Sequence, residues 1–349
     1  MDEAPQRPDR DWAPRSIGLL IGTLALATAF IAAYVGALHK PTPHDLPIGV
    51  VAGDQRARAT LDAVREQTDI LEPIEYDDPP AAEHGLLSRA VYAVLSSGPD
   101  NGLRLTVASA SGPSATSAIR EVLSTAATRA GTPLQVVDQV PVTPDDPRGV
   151  VPFYLNVGYV LGGYLASTVL GISAGTTPRT ARRAGLRIAA LAVYSVLLGI
   201  AGAIVVGPVL DIWQHDVPTI AAVGALAVFA AAMFASAIQG WLGVAGTALV
   251  ILLLVVLGNP GSGGIYAPEF LPGVLRGMHR WNIPGLANDL TKAAVYFDWR
   301  SAGWPATALA LWTALGIVGL VSASVVRGRR AAAHHGSPRP DAAANRHGG

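Results

Sequence analysis

What most constrains this 349-residue chain is where its charges are missing. Residues 16–38, 151–175, 188–210, 219–258 and 304–326 contain no Asp, Glu, Lys or Arg. A helix needs about 20 predominantly apolar residues to cross a hydrocarbon core of roughly 30 Å, so four of these stretches hold one helix each. The stretch 219–258 would greatly overshoot that core as a single helix rising 1.5 Å per residue. It therefore divides into 219–236 and 241–258, with the break at Ser236 to Gly240, where Gln239 and Gly240 precede Trp241. Only 14% of the chain is charged, against roughly 25% in a soluble domain. The expected fold is an α-helical integral membrane protein of about six transmembrane helices with a small α/β extracytoplasmic domain (39–150) between the first and second. An arm (1–15), an external segment (259–303) and a disordered cytoplasmic tail (327–349) complete it.

Orientation follows from the arginines, because short cytoplasmic loops carry an excess of Lys and Arg. Residues 176–187 carry Arg179, Arg182, Arg183 and Arg187 without an acid, whereas 211–218 carry neither Lys nor Arg. The first loop is expected in the cytoplasm and the second outside, which puts both termini in the cytoplasm. Arg327, Arg329 and Arg330 agree, while Arg7, Arg10 and Arg15 are diluted by Asp9 and Asp11. Val35, Gly36 and Ala37 resemble a signal-peptide cleavage site, but the preceding apolar run exceeds the roughly 7–15 residues of such a leader and fits an uncleaved anchor. Either way, 39–150 lies outside.

The chain has no cysteine, so the external domain must fold on an ordinary core without disulfides. Periodicity predicts strands at 47–51, 73–76, 91–95, 103–108 and 134–140, and helices at 57–66, 83–89 and 115–129. That alternation implies a small α/β unit. Residues 40–148 hold nine Lys and Arg against fifteen Asp and Glu, an acidic balance that gives no reason to expect nucleic acid as a partner. Residues 331–349, rich in Ala, Gly, Pro and His, cannot build a core, and His334 with His335 reads as part of a solvated tail.

Signatures of chemistry fail on context. GISAG (171–175) has the nucleophile-elbow pattern, yet it ends a membrane helix rather than a strand. GNPGSGG (258–264) lacks the Lys-Ser/Thr of a phosphate loop, and Lys40 and Lys292 are the only lysines. No HExxH pair occurs and thiolates are absent, so no metal, cofactor or enzymatic activity is expected. The spans carry no internal ionisable group to mark an ion or proton path, so active transport would draw its energy from a partner. Glycines stand at Gly158 and Gly162, Gly171 and Gly175, then Gly199, Gly202, Gly243 and Gly246. Such faces suit close helix packing within one chain, or a homodimer seam.

Three strings carry a resemblance: DLPIGVVAGDQ from Asp45, AVYAVLSS at 90–97 and GNPGSGGIYAPEFLP at 258–272. With one span, an external domain and five further spans, the chain resembles the YhgE/Pip family of bacterial membrane proteins, related to the permease subunits of type 2 ABC exporters. The likeness runs over 16–326; many members have a much longer coiled-coil external region than this compact one. It implies a multi-pass subunit of the bacterial plasma membrane that moves a hydrophobic or amphipathic substrate with a separate ATPase. The alternative is a non-transporting scaffold, secretion accessory or surface receptor acting through its external domain. By the same resemblance Arg179, Arg182 and Arg183 are candidates for an ATPase-docking loop, although they also suffice to fix topology. Asn259, Pro260, Gly261, Gly263 and Gly264 are candidates for an external gate or a turn.

Overall fold

A bilayer core offers no water to backbone N–H and C=O groups, so charge-free stretches of this length must close their hydrogen bonds internally as helices. The structure, a computed structural model, describes residues 12–335; positions 1–11 of the arm and 336–349 of the tail lie outside the described residues. Helix α1 (Trp12–Leu38) leads into β1 (Leu46–Val51), α2 (Gln55–Arg65), β2 (Leu71–Tyr76), α3 (Pro79–Leu87), β3 (Ala93–Ser97), β4 (Leu103–Val107), α4 (Pro113–Arg129) and β5 (Leu134–Asp138). There follow α5 (Val151–Ala174), α6 (Ala181–Ile204), α7 (Val217–Leu242), α8 (Val244–Ile251), α9 (Gly273–His279), α10 (Ile283–Tyr296) and α11 (Gly303–His335).

Among the described residues, five helices are long and apolar enough to cross a membrane: Ser16–Leu38, Val151–Ala174, Ala181–Val209, Gln214–Leu242 and Gly303–Arg329. This is the architecture of an integral membrane protein. The expected sixth span differs. The apolar helix Val244–Leu257 reaches only about 21 Å at 1.5 Å per residue, short of the roughly 30 Å core. The division of 219–258 also falls later than Ser236 to Gly240. The chain turns at Gly243, whose φ of 65° and ψ of −141° are open essentially to glycine alone. Ser236, Gln239 and Gly240 stay inside α7, because the polar groups that suggested a loop are satisfied between helices. Gln239 accepts from Ser167 Oγ at 2.9 Å and donates to Thr168 Oγ1 at 2.8 Å and Thr247 Oγ1 at 3.2 Å.

Two other boundaries move. Helix α6 starts at Ala181, with Thr180 Oγ1 accepting from the Arg183 N–H as an N-cap, so Arg182 and Arg183 sit in its first turn and Arg187 in its second. Helix α11 continues to His335, past the expected end at 326, through a run of Arg and Ala with high helix propensity. Residues 331–335 are therefore helical rather than disordered; the side chains of His334 and His335 lie outside what is described.

Helix α7 forms the centre of the membrane layer, with Ala227, Ala230, Ala231, Ala232 and Ala235 wholly buried. Each long neighbour approaches it through a glycine. A Cβ on Gly163 of α5 would stand 2.5 Å from the Val228 carbonyl oxygen, one on Gly199 of α6 2.5 Å from that of Ala221, and one on Gly316 of α11 2.5 Å from the Met233 carbonyl carbon. Of the glycines singled out from sequence, Gly199 and Gly246 meet α7 backbone, Gly202 meets the Tyr159 ring, and Gly158 faces open space. Helix α1 stands aside with Ile17, Leu19, Leu20 and Leu24 exposed, and Tyr34 Oη donates to the Val255 carbonyl at 3.3 Å.

The inserted domain is a five-stranded sheet in the order β2-β1-β3-β4-β5. β1 runs parallel to β2 and β3, β3 and β4 are antiparallel, and β4 is parallel to β5. One face buries Ile48, Leu95 and Leu105 under Leu61 of α2 and Ile119 of α4, with Ala267 of the 259–303 segment in the same core. The other face packs Leu86 of α3 and Val94 with Phe297, which follows α10. Both faces are thus anchored by chain from the membrane part. Overpacking costs about 1–3 kcal/mol, so Gly163→Ala should lower the thermal unfolding midpoint of the detergent-solubilised protein, and Gly158→Ala should leave it unchanged.

Candidate functional site

The charged groups of the α/β domain and the membrane helices meet where that domain docks on residues 259–303. Helix α3 ends in a Schellman turn, with the Arg89 N–H donating to the Leu86 carbonyl at 3.1 Å and the Ala90 N–H to that of Gly85 at 2.9 Å. Glycine is the usual occupant of the left-handed position after such a helix. Here it is Arg89 at φ 62°, a conformation that disfavours an L-residue by roughly 1–2 kcal/mol. The turn aims its guanidinium at α10: Nη2 donates to Asp289 Oδ1 at 2.7 Å and Nη1 to the Asp289 carbonyl at 3.2 Å. Asp289 Oδ2 is 3.0 Å from His279 Nε2.

Helix α10 is built to hold that contact. Asn282 Oδ1 accepts from the Gly285 N–H at 2.5 Å as the N-cap, and Pro284 occupies the first turn. Ile283, Leu286, Leu290 and Ala293 join the membrane core, while Asp289, Lys292 and Tyr296 follow at helical spacing on another face. Asn156 of α5 donates to Thr291 Oγ1 at 2.8 Å. Lys292, 3% exposed, donates from Nζ to the Ser111 carbonyl at 3.1 Å. Tyr92 Oη donates to Glu269 Oε2 at 2.9 Å, and Arg276 Nη1 to Asp45 Oδ2 at 3.3 Å. Around these groups lies a cavity of about 520 Å³.

Burial and pairing set the protonation states. Burial would raise the Asp289 carboxyl, but Arg89 and His279 outweigh it and hold it below the carboxylate range. Burial opposes charge on His279, and the Asp289 carboxylate reverses this, raising it above 6.5. Burial, then Arg89, pull Lys292 down to about 8 against the attraction of Asp289 and Asp146. Burial and the Glu269 carboxylate push the Tyr92 hydroxyl well above 10. Arg89 Nε, His279 Nδ1 and Ser301 Oγ are buried with no hydrogen-bond partner among the described residues.

The residues singled out from sequence lie at both ends of α5. Asn259, Pro260, Gly261, Gly263 and Gly264 fold as a buried turn, with one 3-10 turn at Pro260–Ser262 and Gly263 left-handed at φ 67°. Asn282 Nδ2 donates to the Gly261 carbonyl at 3.0 Å, and a Cβ on Gly264 would strike the Phe153 ring. Only Gly263 of this set lines the cavity. Arg179, Arg182 and Arg183 are exposed at the opposite end. Arg187, also in the arginine-rich segment, is 8% exposed and donates to the Leu170, Thr176 and Gly175 carbonyls, closing the α5–α6 turn.

Sequence reasoning missed Arg89, Tyr92, Glu269, His279, Asp289 and Lys292. One signal was visible: Asp289 and Lys292, three apart and the only charged residues between 281 and 297, share a helix face. The chain matches no family model, no curated protein and no solved structure.

Removing one partner of a buried ion pair costs about 3–5 kcal/mol, whereas an exposed pair contributes roughly 0–1 kcal/mol. Asp289→Asn should therefore lower the thermal midpoint far more than Arg58→Gln, which breaks the exposed pair with Glu75. The pH dependence follows from linkage. The His279 contribution is complete below about pH 6.5 and is lost as pH rises through its raised value. The Asp289 contribution, complete above about pH 4, is lost only when pH falls through its lowered value. Lys292, lowered to about 8, is half deprotonated at about pH 8, and because the unfolded chain holds that proton longer its contribution rises with pH there, offsetting part of the His279 loss at the top of the window. The thermal midpoint should fall between pH 6 and pH 8, and His279→Gln should flatten that fall.

Proposed function

We propose that this chain is the permease-like membrane subunit of an export system of the YhgE/Pip and type 2 ABC exporter kind. It moves a hydrophobic or amphipathic substrate across the bacterial plasma membrane with energy from a separate ATPase. One observation carries this reading: of the three strings that underlie the resemblance, far apart in sequence, two line one cavity and the first pairs with a residue of its wall. Asp45 of the first pairs with Arg276 and Tyr92 of the second donates to Glu269 of the third. The third also contributes Gly263, Ala267 and Pro268 to the lining.

In this reading α9 and α10, packed among the long helices, are the re-entrant pair that caps the outer mouth, and the Asn259–Gly264 turn is the hinge beneath them. The α/β domain is extracytoplasmic. Arg187 is occupied within its own turn, so Arg179, Arg182 and Arg183 remain exposed at the other end to meet the ATPase. The long helices carry charges only near their ends, which leaves no relay for a driving ion and supports an external energy source.

The chain has no cysteine, so single cysteines report topology cleanly. In intact cells Arg182→Cys should be shielded from an impermeant thiol reagent and Gln214→Cys labelled; the reverse pattern contradicts the orientation. Once labelling at Gln214→Cys shows correct insertion, replacing Arg179, Arg182 and Arg183 with Gln should reduce the ATPase recovered with the protein from native membranes. If mild crosslinking of the unmodified protein recovers no ATPase, the scaffold or receptor alternative replaces export.

A further inference from the structure

We propose that the junction cavity binds a phosphate group, the head of an anionic amphiphile. The lining carries Arg89, Arg276, Arg280 and Lys292 against Asp289 and Glu269; with Arg276 paired to Asp45 outside the lining, one positive charge is in excess even with His279 neutral. The acids are already engaged: Asp289 by Arg89 and His279, Glu269 by Tyr92. Lys292 and Arg280 form no salt bridge among the described residues. Neither has a carboxylate within salt-bridge distance, although Asp289 and Asp146 act on Lys292 from farther away, and this balance disfavours a cation.

The hydrogen-bonding inventory points the same way. The single contact of Lys292 Nζ, to the Ser111 carbonyl, leaves donor capacity on an ammonium with three N–H groups, and the side chains of Arg276 and Arg280 line the same cavity. Buried donors left unpaired are unfavourable. A ligand with several oxygen acceptors on one centre satisfies converging guanidinium and ammonium donors, and charge-assisted bonds of this kind are the strong ones.

A bare phosphate would fill only part of about 520 Å³. The rest of the ligand is indicated across α9, whose polar side presents Arg276, His279 and Arg280 to the cavity. On its other side Met278 and Trp281 join Phe234, Leu253, Leu254 and Trp312 around an apolar pocket of about 330 Å³. Trp281 and Trp304 meet edge to face at 4.8 Å on this ridge, and tryptophan is enriched where headgroups meet acyl chains. A phosphate head on one side and a hydrocarbon tail on the other describe an amphiphile. The inference stands whether or not a separate ATPase drives the chain, since it concerns binding alone.

The test uses the full chain purified in a neutral maltoside detergent, with three probes: radiolabelled inorganic phosphate, phosphatidylglycerol, and diacylglycerol of the same acyl chains as the phosphate-free control. Saturable binding of about one inorganic phosphate or one phosphatidylglycerol per chain is expected. It should weaken at least tenfold in Arg280→Gln and in Lys292→Gln and stay unchanged in Arg58→Gln. Arg280 is exposed, so that variant keeps the fold and separates loss of binding from loss of structure. Binding of phosphatidylglycerol without inorganic phosphate, sensitive to both variants, assigns the phosphate to a lipid; binding of both assigns recognition to the head alone. Diacylglycerol binding as well as phosphatidylglycerol with no phosphate bound, no saturable binding of either phosphate probe, or binding indifferent to Arg280→Gln and Lys292→Gln overturns the proposal. ATPase recovery is read from native membranes, so failure here and failure of the export reading are separate results.

Discussion

Backbone contact along α7 is the constraint on which the membrane layer depends. Lipid supplies no hydrophobic drive between helices, so association rests on packing and hydrogen bonds, and small residues allow the closest approach. α5, α6 and α11 each bring one glycine, Gly163, Gly199 and Gly316, against α7 backbone. A side chain at any of these points would push a helix outward, and α10, wedged among the same helices, would shift with it. The hydrogen bonds of Gln239 to Ser167, Thr168 and Thr247 tie the end of α7 to α5 and α8, beside the Arg187 clamp.

The α/β domain does not hang on a tether. Ala267 belongs to one of its cores and Phe297 to another, so chain that follows the charge-free stretch 219–258 completes the sheet's two faces. The ionic junction is added to this apolar docking, and it is asymmetric. Arg89 reaches from the α/β domain at the expense of a left-handed backbone, whereas Asp289 and Lys292 come from a helix buried on nearly every side. Buried ion pairs are weak evidence for stability as such.

Much of the architecture was legible because bilayer length and strand periodicity are local properties. The charge-free stretches located the five long helices, and the predicted strands overlap all five observed ones. What was illegible is non-local. Gln239 looked like a loop residue because its three partners lie on other helices or beyond the turn, and Gly243 carries no mark that separates it from Gly240. The antiparallel β3–β4 pair within a parallel sheet depends on crossover geometry that periodicity does not encode. Arg89 and Asp289 are 200 positions apart, so no spacing rule joins them, whereas Asp289 and Lys292 at three residues were within reach of helical reasoning. Asn259 and its glycines were recognisable as a turn, yet only the fold brings Gly263 beside His279.

The cavity exists only if the α/β domain docks on residues 259–303 in the membrane, and one measurement addresses that contact directly. The Ala267 N–H donates to Ser114 Oγ at 3.1 Å, bringing α4 and the segment after the glycine turn within disulfide reach in a chain without native cysteines. In native membranes, mild oxidation of the Ser114→Cys/Ala267→Cys double variant should give an intramolecular disulfide, and the pair Ser114→Cys/Gln214→Cys should give none. Free thiols at both positions of the first pair under the same oxidation would contradict the docked junction, and with it the cavity.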